Sequence, residues 1–263
     1  MCKECGCGVG GAGAEHGHSH NHDAHEHHHS RSVDLNRSLM EKNDRLAEAN
    51  RKEFHRKKLF VLNVVSSPGS GKTTFIRETA VRLKEQLRVG VIVGDLATDN
   101  DAARLIAAGI PVVQITTGTV CHLDADMVSR AAKKLDLGSL DVLVIENVGN
   151  LVCPADYDLG EDLRVVLLSV TEGEDKPLKY PPMFHSAQVA IVTKTDLAVA
   201  AGFDRRQALD NLGRISHHAR IFEVSAKTGE GMDAWIEFLA KEHAVVNGER
   251  RSRLARTLDA LLR

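Results

Sequence analysis

The first residues of the chain concentrate side chains that bind metal ions. Cys2, Cys5 and Cys7 form a C-x-x-C-x-C pattern, and the α-amine of Met1 can add a nitrogen to the three thiolates. An S₃N donor set suits Ni²⁺ in square-planar geometry or Zn²⁺ in tetrahedral geometry. The alternative is an unliganded flexible tail, and three cysteines within seven residues argue against it. We therefore predict a metal site at the N-terminus.

A histidine-rich stretch follows the cysteines and holds eight of the fourteen histidines of the chain. Neutral imidazoles suit Ni²⁺, Zn²⁺ and Cu²⁺. The irregular spacing, with Ser, Asn, Asp, Ala and Glu between the histidines, argues against an engineered tag. We predict several weak sites that store or buffer metal, at His16, His18, His20, His22, His25, His27, His28 and His29.

The segment Ser66–Thr74 reads SSPGSGKTT and lies between an apolar run and a helical pattern, as a phosphate-binding loop requires. Backbone N–H groups of such a loop, together with the N-terminus of the following helix, surround phosphates. Lys72 is expected to bridge the terminal phosphates and the Thr73 hydroxyl to bind Mg²⁺. Ser66 replaces the first glycine of the usual motif. The predicted cofactor-binding residues here are Pro68, Gly69, Ser70, Gly71, Lys72, Thr73 and Thr74.

Two acidic residues end predicted strands, where ligands of parallel sheets gather. Asp95 ends VGVIVGD and is expected to orient the attacking water or to join the Mg²⁺ shell. Glu146 ends DVLVIE and begins Glu-Asn-Val-Gly, in which the N–H of Gly149 can bond the γ-phosphate. A solvated strand end is the alternative for each acid. We predict Lys72, Asp95 and Glu146 as the catalytic residues.

The choice of base is predicted from the segment TKTD, which follows another apolar run. The Asp196 carboxylate can accept hydrogen bonds from guanine N1–H and its 2-amino group, and adenine offers neither donor there. The stem of Lys194 is expected to cover the purine, and Ser225, Ala226 and Lys227 to meet guanine O6. Thr193 stands where asparagine is usual. Together with the phosphate loop, this order of motifs indicates GTP.

A second candidate metal site lies in the middle of the chain. Cys121 and His122 are adjacent, and Cys153 follows Glu146 by seven residues, within the segment that a γ-phosphate is expected to reposition. If the three residues share an ion, metal geometry depends on the nucleotide state. The alternative is two small buried thiols and a surface histidine, because cysteine is commonly a core residue.

The elements that must position these residues follow from the hydrophobic pattern after Leu59. Short, nearly all-apolar runs alternate with helical stretches, which is typical of a parallel sheet covered by helices on both faces. We predict strands at 59–65, 89–94, 112–115, 142–145, 165–170, 189–192 and 221–224. We predict helices at 73–87, 99–108, 125–135, 204–216 and 232–246, and a final one at 250–263. The fold class is α/β, a P-loop NTPase with a mostly parallel central sheet flanked by helices.

The chain is expected to divide into three parts. Residues 1–30 form a metal-binding tail that is disordered without metal, because Gly, Cys and His offer almost nothing to pack. Residues 31–58 form a helical linker, weakly amphipathic and able to dock on the domain. Residues 59–263 form the nucleotide-binding domain. The apolar positions of the linker are Leu35, Leu39, Leu46 and Ala49.

Composition restricts the partners. With 34 Lys and Arg against 36 Asp and Glu, the net charge of −2 offers no electrostatic case for nucleic acid or an anionic membrane. No apolar run reaches transmembrane length, and the N-terminus lacks the apolar core of a signal peptide. We expect a cytoplasmic protein, in which the five cysteines are thiols or metal ligands rather than disulfides.

Taken together, the Cys-x-x-Cys-Gly-Cys start, the histidine stretch, SSPGSGKT, Cys121-His122, ENVGNLVCP and TKTD resemble the hydrogenase nickel-incorporation GTPases of the HypB family. The resemblance runs from Met1 to about His243, and Ser66 and Glu146 are ordinary for that family. It implies a dimerising P-loop GTPase of the SIMIBI type, with the Cys121, His122 and Cys153 site near the interface of a GTP-dependent homodimer. It also implies delivery of Ni²⁺ to the large subunit of [NiFe] hydrogenase with a zinc-binding partner protein.

Three other functions stay open. A urease nickel-delivery GTPase shares the fold, although the N-terminal cysteine cluster argues against it. A nickel store or buffer, with a regulatory GTPase, explains the histidine stretch. A zinc-delivery GTPase requires the same ligands, and the sequence does not decide between Ni²⁺ and Zn²⁺ at the internal site.

Overall fold

Seven short runs of valine, isoleucine and leucine form one sheet in which every strand pairing is parallel. The strand order is β3-β2-β4-β1-β5-β6-β7, so β1 lies in the centre between β4 and β5. All residues of β1 and β5 are buried, as expected for strands covered on both faces. The strands are β1 Phe60–Ser66, β2 Val89–Asp95, β3 Val112–Thr116, β4 Val142–Glu146, β5 Leu163–Ser169, β6 Val189–Thr193 and β7 Arg220–Val224.

This computed structural model describes the backbone of residues 26–96 and 99–261 and the side chains of residues 37–96 and 99–248. The predicted ligands Cys2, Cys5 and Cys7 lie outside the described residues, and so do the histidines up to His25. The side chains of His27, His28 and His29 lie outside them as well. The prediction of disorder before residue 26 also falls there.

Helices cover both faces of the sheet. One side holds a core around Trp235, Phe75 and Phe222, and the other holds a core that includes Phe54, Leu123 and Leu159. The helices are α1 Glu26–Arg56, α2 Lys72–Leu83, α3 Asn100–Ile106, α4 Ala125–Ala132, α5 Lys176–Lys179, α6 Pro181–Ser186, α7 Arg205–Ile215 and α8 Met232–Leu261. The predicted α/β fold with a parallel sheet is confirmed. Among the described helices, none combines the length and the apolarity that crossing a bilayer requires.

One prediction about helices is wrong, and two short helices were missed. The separate helices predicted at 232–246 and 250–263 are one continuous helix, α8, because a single glycine inside a helix costs only about 1 kcal/mol and does not end it. The short helices α5 and α6 were not predicted, because prolines interrupt the hydrophobic pattern there. Each has a proline in its first turn, where the missing N–H is tolerated.

The first helix docks on the domain through a face that the apolar pattern did not indicate. Of the predicted apolar positions, Leu39 is 52% exposed, Ala49 is exposed and Leu46 is half-buried, whereas the side chain of Leu35 lies outside the described residues. On the buried face, asparagines alternate with apolar residues, and successive residues are three or four positions apart, as one side of a helix requires. Its members are Asn43, Ala47, Asn50 and Phe54. The helix begins at Glu26, so its first residues overlap the segment assigned to the tail.

Candidate nucleotide and metal site

The loop between β1 and α2 has the geometry of a phosphate cradle. Gly69 and Gly71 adopt φ values of 75° and 97°, a left-handed conformation that glycine reaches without strain. The hydroxyls of Ser66 and Ser70 contact each other. The Lys72 ammonium donates to Ser66 Oγ at 3.0 Å and to the carbonyl oxygen of Ser67 at 3.4 Å. Burial lowers the pKa of Lys72, and the charge of Glu146 opposes that shift.

Glu146 lies against the start of α2. The Thr73 hydroxyl donates to Glu146 Oε1 at 2.7 Å, and the glutamate is only 2% exposed. Burial raises the pKa of Glu146 to about 7, although the Thr73 hydroxyl and the charge of Lys72 oppose the shift. Its Oε2 is buried and has no hydrogen-bond partner among the described residues. A hydroxyl beside a carboxylate with an unused oxygen fits the hard oxygen ligands that Mg²⁺ prefers.

Asp95 and Gly149 are the other two residues predicted to act near the γ-phosphate. Asp95 is the last residue of β2 and comes two residues after Val93, which pairs with Glu146. The charge of Asp95 adds a small contribution to the raised pKa of Glu146. A Cβ on Gly149 would lie 3.0 Å from the Cα of Pro68, so the segment after Glu146 rests directly on the phosphate loop. The roles predicted for Asp95 and Gly149 in hydrolysis stay predictions.

A pocket of about 200 Å³ opens beside the phosphate loop and is lined by the residues predicted to read the base. Ser225 Oγ donates to Asp196 Oδ1 at 2.7 Å, which fixes the carboxylate at the pocket wall. The Lys194 ammonium donates to the carbonyl oxygen of Gly69 at 2.6 Å and ties the pocket to the loop. The lining residues are Ser70, Gly71, Thr74, Phe75, Thr193, Lys194, Asp196, Leu197, Val224, Ala226 and Lys227.

Cys121, His122 and Cys153 come together, with their ligand atoms within 4.8 Å of one another. The Sγ atoms of the two cysteines are 2.9 Å apart. The His122 ring stacks on Tyr157 at a centroid distance of 3.9 Å. Its Nδ1 is buried and, within the described part of the chain, has no hydrogen-bond partner. Burial lowers the pKa of His122, which favours the neutral imidazole that metal ions bind. The donor set fits a borderline-soft divalent ion.

Asn147 connects the nucleotide residues to the metal ligands. It follows Glu146 directly and is fully buried. Its Oδ1 accepts from the backbone N–H of Leu123 at 3.3 Å, next to His122, and its Nδ2 donates to Asn63 Oδ1 at 3.2 Å. Asn150 Nδ2 donates to the carbonyl oxygen of Cys121 at 3.2 Å. Hydrogen bonds from the Glu-Asn-Val-Gly-Asn segment therefore hold the Cys121–Leu123 segment.

Sequence reasoning missed three charged groups near the phosphate loop. Burial raises the pKa of Glu172, and the Lys176 ammonium contacts Ser67 Oγ at 3.5 Å. The charge of Asp101 acts on both Lys72 and Glu146. The rule that ligands collect at strand ends would have indicated Glu172, which comes three residues after β5.

The sheet order, the phosphate loop and the base pocket define a P-loop nucleotide-binding protein. Residues 60–223 match the family described as "CobW/HypB/UreG, nucleotide-binding domain". The chain belongs to the HypB family of hydrogenase maturation factors, as its curated relatives show.

The relatives cover most of the chain. The hydrogenase maturation factor HypB of Escherichia coli K12 is 50% identical over 80% of this chain and 72% of its own length. That of Azotobacter chroococcum is 48% identical over 88% of this chain and 74% of its own. The crystal structure of HypB from Helicobacter pylori in complex with nickel has a TM-score of 0.75 at 40% identity. It covers 78% of this chain and 97% of that one.

Proposed function

We propose that this protein is a GTPase that delivers Ni²⁺ to the large subunit of [NiFe] hydrogenase, with GTP hydrolysis coupled to metal transfer. The observation that carries the proposal is the position of the Asn147 side chain. It lies between Glu146, which is bonded to Thr73, and Leu123, which adjoins His122. A change at the γ-phosphate that moves Glu146 has a short, buried route to a metal ligand.

The nucleotide chemistry assigns one role to each group. Lys72 neutralises the terminal phosphates, and Thr73 with Glu146 holds Mg²⁺, which stabilises charge developing on the transferred phosphoryl group. Asp95 orients the attacking water or completes the Mg²⁺ shell. The N–H of Gly149 bonds the γ-phosphate, a role supported by its contact with Pro68.

The base pocket selects guanine. Asp196 receives a hydrogen bond from Ser225, which leaves the carboxylate oriented to accept from the N1–H and 2-amino groups of guanine. Lys194 covers the purine ring with its stem. Adenine presents no such donors and leaves a polar group unpaired, so ATP binds more weakly.

Two thiolates and one imidazole suit Ni²⁺ and leave coordination positions open. A water, a partner protein or the twin site of a homodimer completes the shell. We propose that residues 1–30 are the metal-binding tail, 31–58 the linker and 59–263 the GTPase domain. In that arrangement the N-terminal cysteines acquire nickel and the histidine stretch stores it. The partners are a second copy of the chain, a zinc-binding maturation protein and the hydrogenase large subunit, in the cytoplasm.

The test measures Ni²⁺ binding in the full chain with Cys2, Cys5 and Cys7 replaced by alanine. Only Cys121 and Cys153 then remain, so thiolate-to-nickel charge-transfer absorption reports the internal site alone. We expect the Ni²⁺ affinity to differ by about tenfold between the GDP complex and the complex with a non-hydrolysable GTP analogue. Equal affinities in the two complexes would contradict the coupling.

A nickel store is the second candidate, favoured by the eight histidines at positions 16–29. Deleting residues 2–29 separates the two. A store loses its role with the tail, whereas a delivery GTPase keeps GTP hydrolysis and supports hydrogenase maturation at high nickel. The same ligands could carry Zn²⁺, or Ni²⁺ for urease. Maturation of each enzyme in cells that express this chain distinguishes these targets.

A further inference from the structure

The three internal metal ligands belong to two segments that are far apart in the chain. Cys121 and His122 precede α4, which begins at Ala125. Cys153 begins a short 3₁₀ helix that ends at Asp156 and runs into the loop at Asp158 and Leu159. The geometry of a site with ligands on two segments depends on what fixes the segments relative to each other.

Two asparagines of α1 bridge these segments. Asn43 Oδ1 accepts from the backbone N–H of Ala125 at 2.9 Å, and Asn43 Nδ2 donates to the carbonyl oxygen of Asp158 at 2.8 Å. Asn50 Nδ2 donates to the carbonyl oxygens of Ala125 at 2.7 Å and Leu159 at 3.1 Å. Each asparagine is only 5% exposed. Each one therefore binds both ligand-bearing segments.

The amide side chain suits this position. The N–H of Ala125 lies in the first turn of α4, where backbone donors have no partner within the helix. Asn43 supplies that partner and, with the other end of the same amide, satisfies a loop carbonyl. A carboxylate cannot do both, because it has acceptors only when ionised.

The loop approaches α1 too closely for any side chain. A Cβ on Gly160 would lie 2.7 Å from the carbonyl oxygen of Ala47 and 2.8 Å from Asn50 Cβ. Gly160 also has φ near 90°, which favours glycine. Beside it, Tyr157 stacks on the His122 ring. The second segment is thus pressed against α1 on one side and against a metal ligand on the other.

We propose that Asn43 and Asn50 are positioning residues of the Cys121–His122–Cys153 site, and that docking of α1 sets the separation of its two ligand segments. The inference rests on the proposed binding of nickel at this site. By linkage, nickel bound at the site strengthens the docking of α1. The helix that leads to the N-terminal cysteines is therefore also a support of the internal metal centre.

Isosteric variants test the bridge. In the full chain with Cys2, Cys5 and Cys7 replaced by alanine, Asn43→Asp keeps the acceptor for Ala125 but loses the donor to Asp158. Asn50→Asp loses both of its donated bonds. We expect each to weaken Ni²⁺ binding, measured by the charge-transfer band, by about tenfold, the scale of outer-shell changes at metal sites. Binding of a fluorescent GTP analogue should change by less than about threefold, within the context-dependence of such measurements.

Arg51→Ala is the matched control. Arg51 pairs with Asp158 at 2.7 Å from the same helix, but the pair is partly exposed and touches only one of the two segments. Its loss should change Ni²⁺ affinity by less than about threefold, because both asparagine bridges between the two segments stay in place. A tenfold loss in this control would overturn the specific role of the asparagines, since any weakening of α1 docking would then suffice.

Hydrogen exchange supplies a second readout. In the parent, Ni²⁺ should slow amide exchange in residues 39–56, and Cys153→Ser should abolish that effect. If the parent shows no charge-transfer band, the proposed metal site fails and the inference fails with it. If the parent shows the band but both asparagine variants bind Ni²⁺ as tightly as the parent, only the bridge is wrong.

Discussion

The nucleotide end of this molecule, around the phosphate loop, and the proposed metal end, around Cys121, His122 and Cys153, are built in opposite ways. The phosphate loop holds itself together, because Ser66 contacts both Ser70 and Lys72 within six positions of the chain. The proposed metal ligands Cys121 and Cys153 are 32 positions apart, and their supports on α1 form hydrogen bonds across 75 to 115 positions. The first site is specified by local sequence. The second exists only when the whole fold is assembled, and remote substitutions can alter it.

The largest expected effect is that of Lys72→Ala, which should impair the nucleotide end and leave the metal end intact. Lys72→Ala removes the buried ammonium from the terminal phosphates, so single-turnover GTP hydrolysis should fall by about 10³-fold. Without nucleotide, Ni²⁺ binding by the internal thiolates should stay within about twofold, because no metal ligand is touched. A parallel loss of both activities would show that the ends are not separable.

Glu146→Gln examines the residue where the ends meet. Burial raises the pKa of the Glu146 carboxyl to about 7 in the folded protein, whereas the ordinary pKa of a glutamate in the unfolded chain is near 4.5. The folded protein therefore keeps the Glu146 proton to a higher pH than the unfolded chain does. The free energy of unfolding of the nucleotide-free protein should therefore fall by about 3 kcal/mol as the pH rises between these values. The glutamine variant should lack that fall.

Urea unfolding at pH 5 and pH 8 in the presence of EDTA measures both proteins. Identical pH dependences in the two would contradict the raised pKa of Glu146. In the same variant, Mg²⁺-dependent hydrolysis should fall, because the amide replaces a carboxylate ligand.

Cys153→Ser perturbs the metal end alone. Loss of one of two thiolates should weaken Ni²⁺ binding at the internal site by about 100-fold and remove most of the charge-transfer absorption. GTP hydrolysis in buffer that contains Mg²⁺ but no Ni²⁺ or Zn²⁺ should stay within about twofold of the parent. The change is made in the chain with Cys2, Cys5 and Cys7 replaced by alanine, and that parent is the control, because it keeps both internal thiolates.

Asn147→Leu has the smallest effect on either end and the largest on their connection. The variant keeps the branched shape of the side chain but loses the hydrogen bonds to Leu123, Val148 and Asn63. The nucleotide-dependent difference in Ni²⁺ affinity should shrink from about tenfold to below about twofold. Titrations with GDP and with the GTP analogue measure it, and an undiminished difference would mean that coupling takes another route.

The same contrast explains which features the sequence could predict. The parallel sheet, the phosphate loop and the base motifs depend on short-range patterns. In the structure, the loop and the base motifs follow the carboxyl ends of strands β1, β6 and β7. The sequence also predicted that Cys121, His122 and Cys153 lie close together, because the segment with Cys121 and His122 follows β3 and the segment with Cys153 follows β4. Their nucleotide and metal roles stay predictions until measured.

The supports of the metal end were not predictable. Asn43 and Asn50 are separated by seven residues in a polar helix, and nothing local distinguishes them from solvent-facing asparagines. The apolar pattern pointed to Leu35, Leu39, Leu46 and Ala49, of which Leu39 and Ala49 are exposed and Leu46 is only half-buried. Hydrogen bonds to backbone groups more than seventy positions away leave no periodic signal.

The bridge from α1 also sets an order of events during synthesis. Asn43 bonds to Asp158, 115 positions later in the chain. At a synthesis rate of 5–20 residues per second, that span takes roughly 6–23 s to emerge. The N-terminal cysteines and histidines therefore leave the ribosome well before the internal centre can assemble. If these residues bind nickel as proposed, they are the first ligands that a nascent chain offers to it.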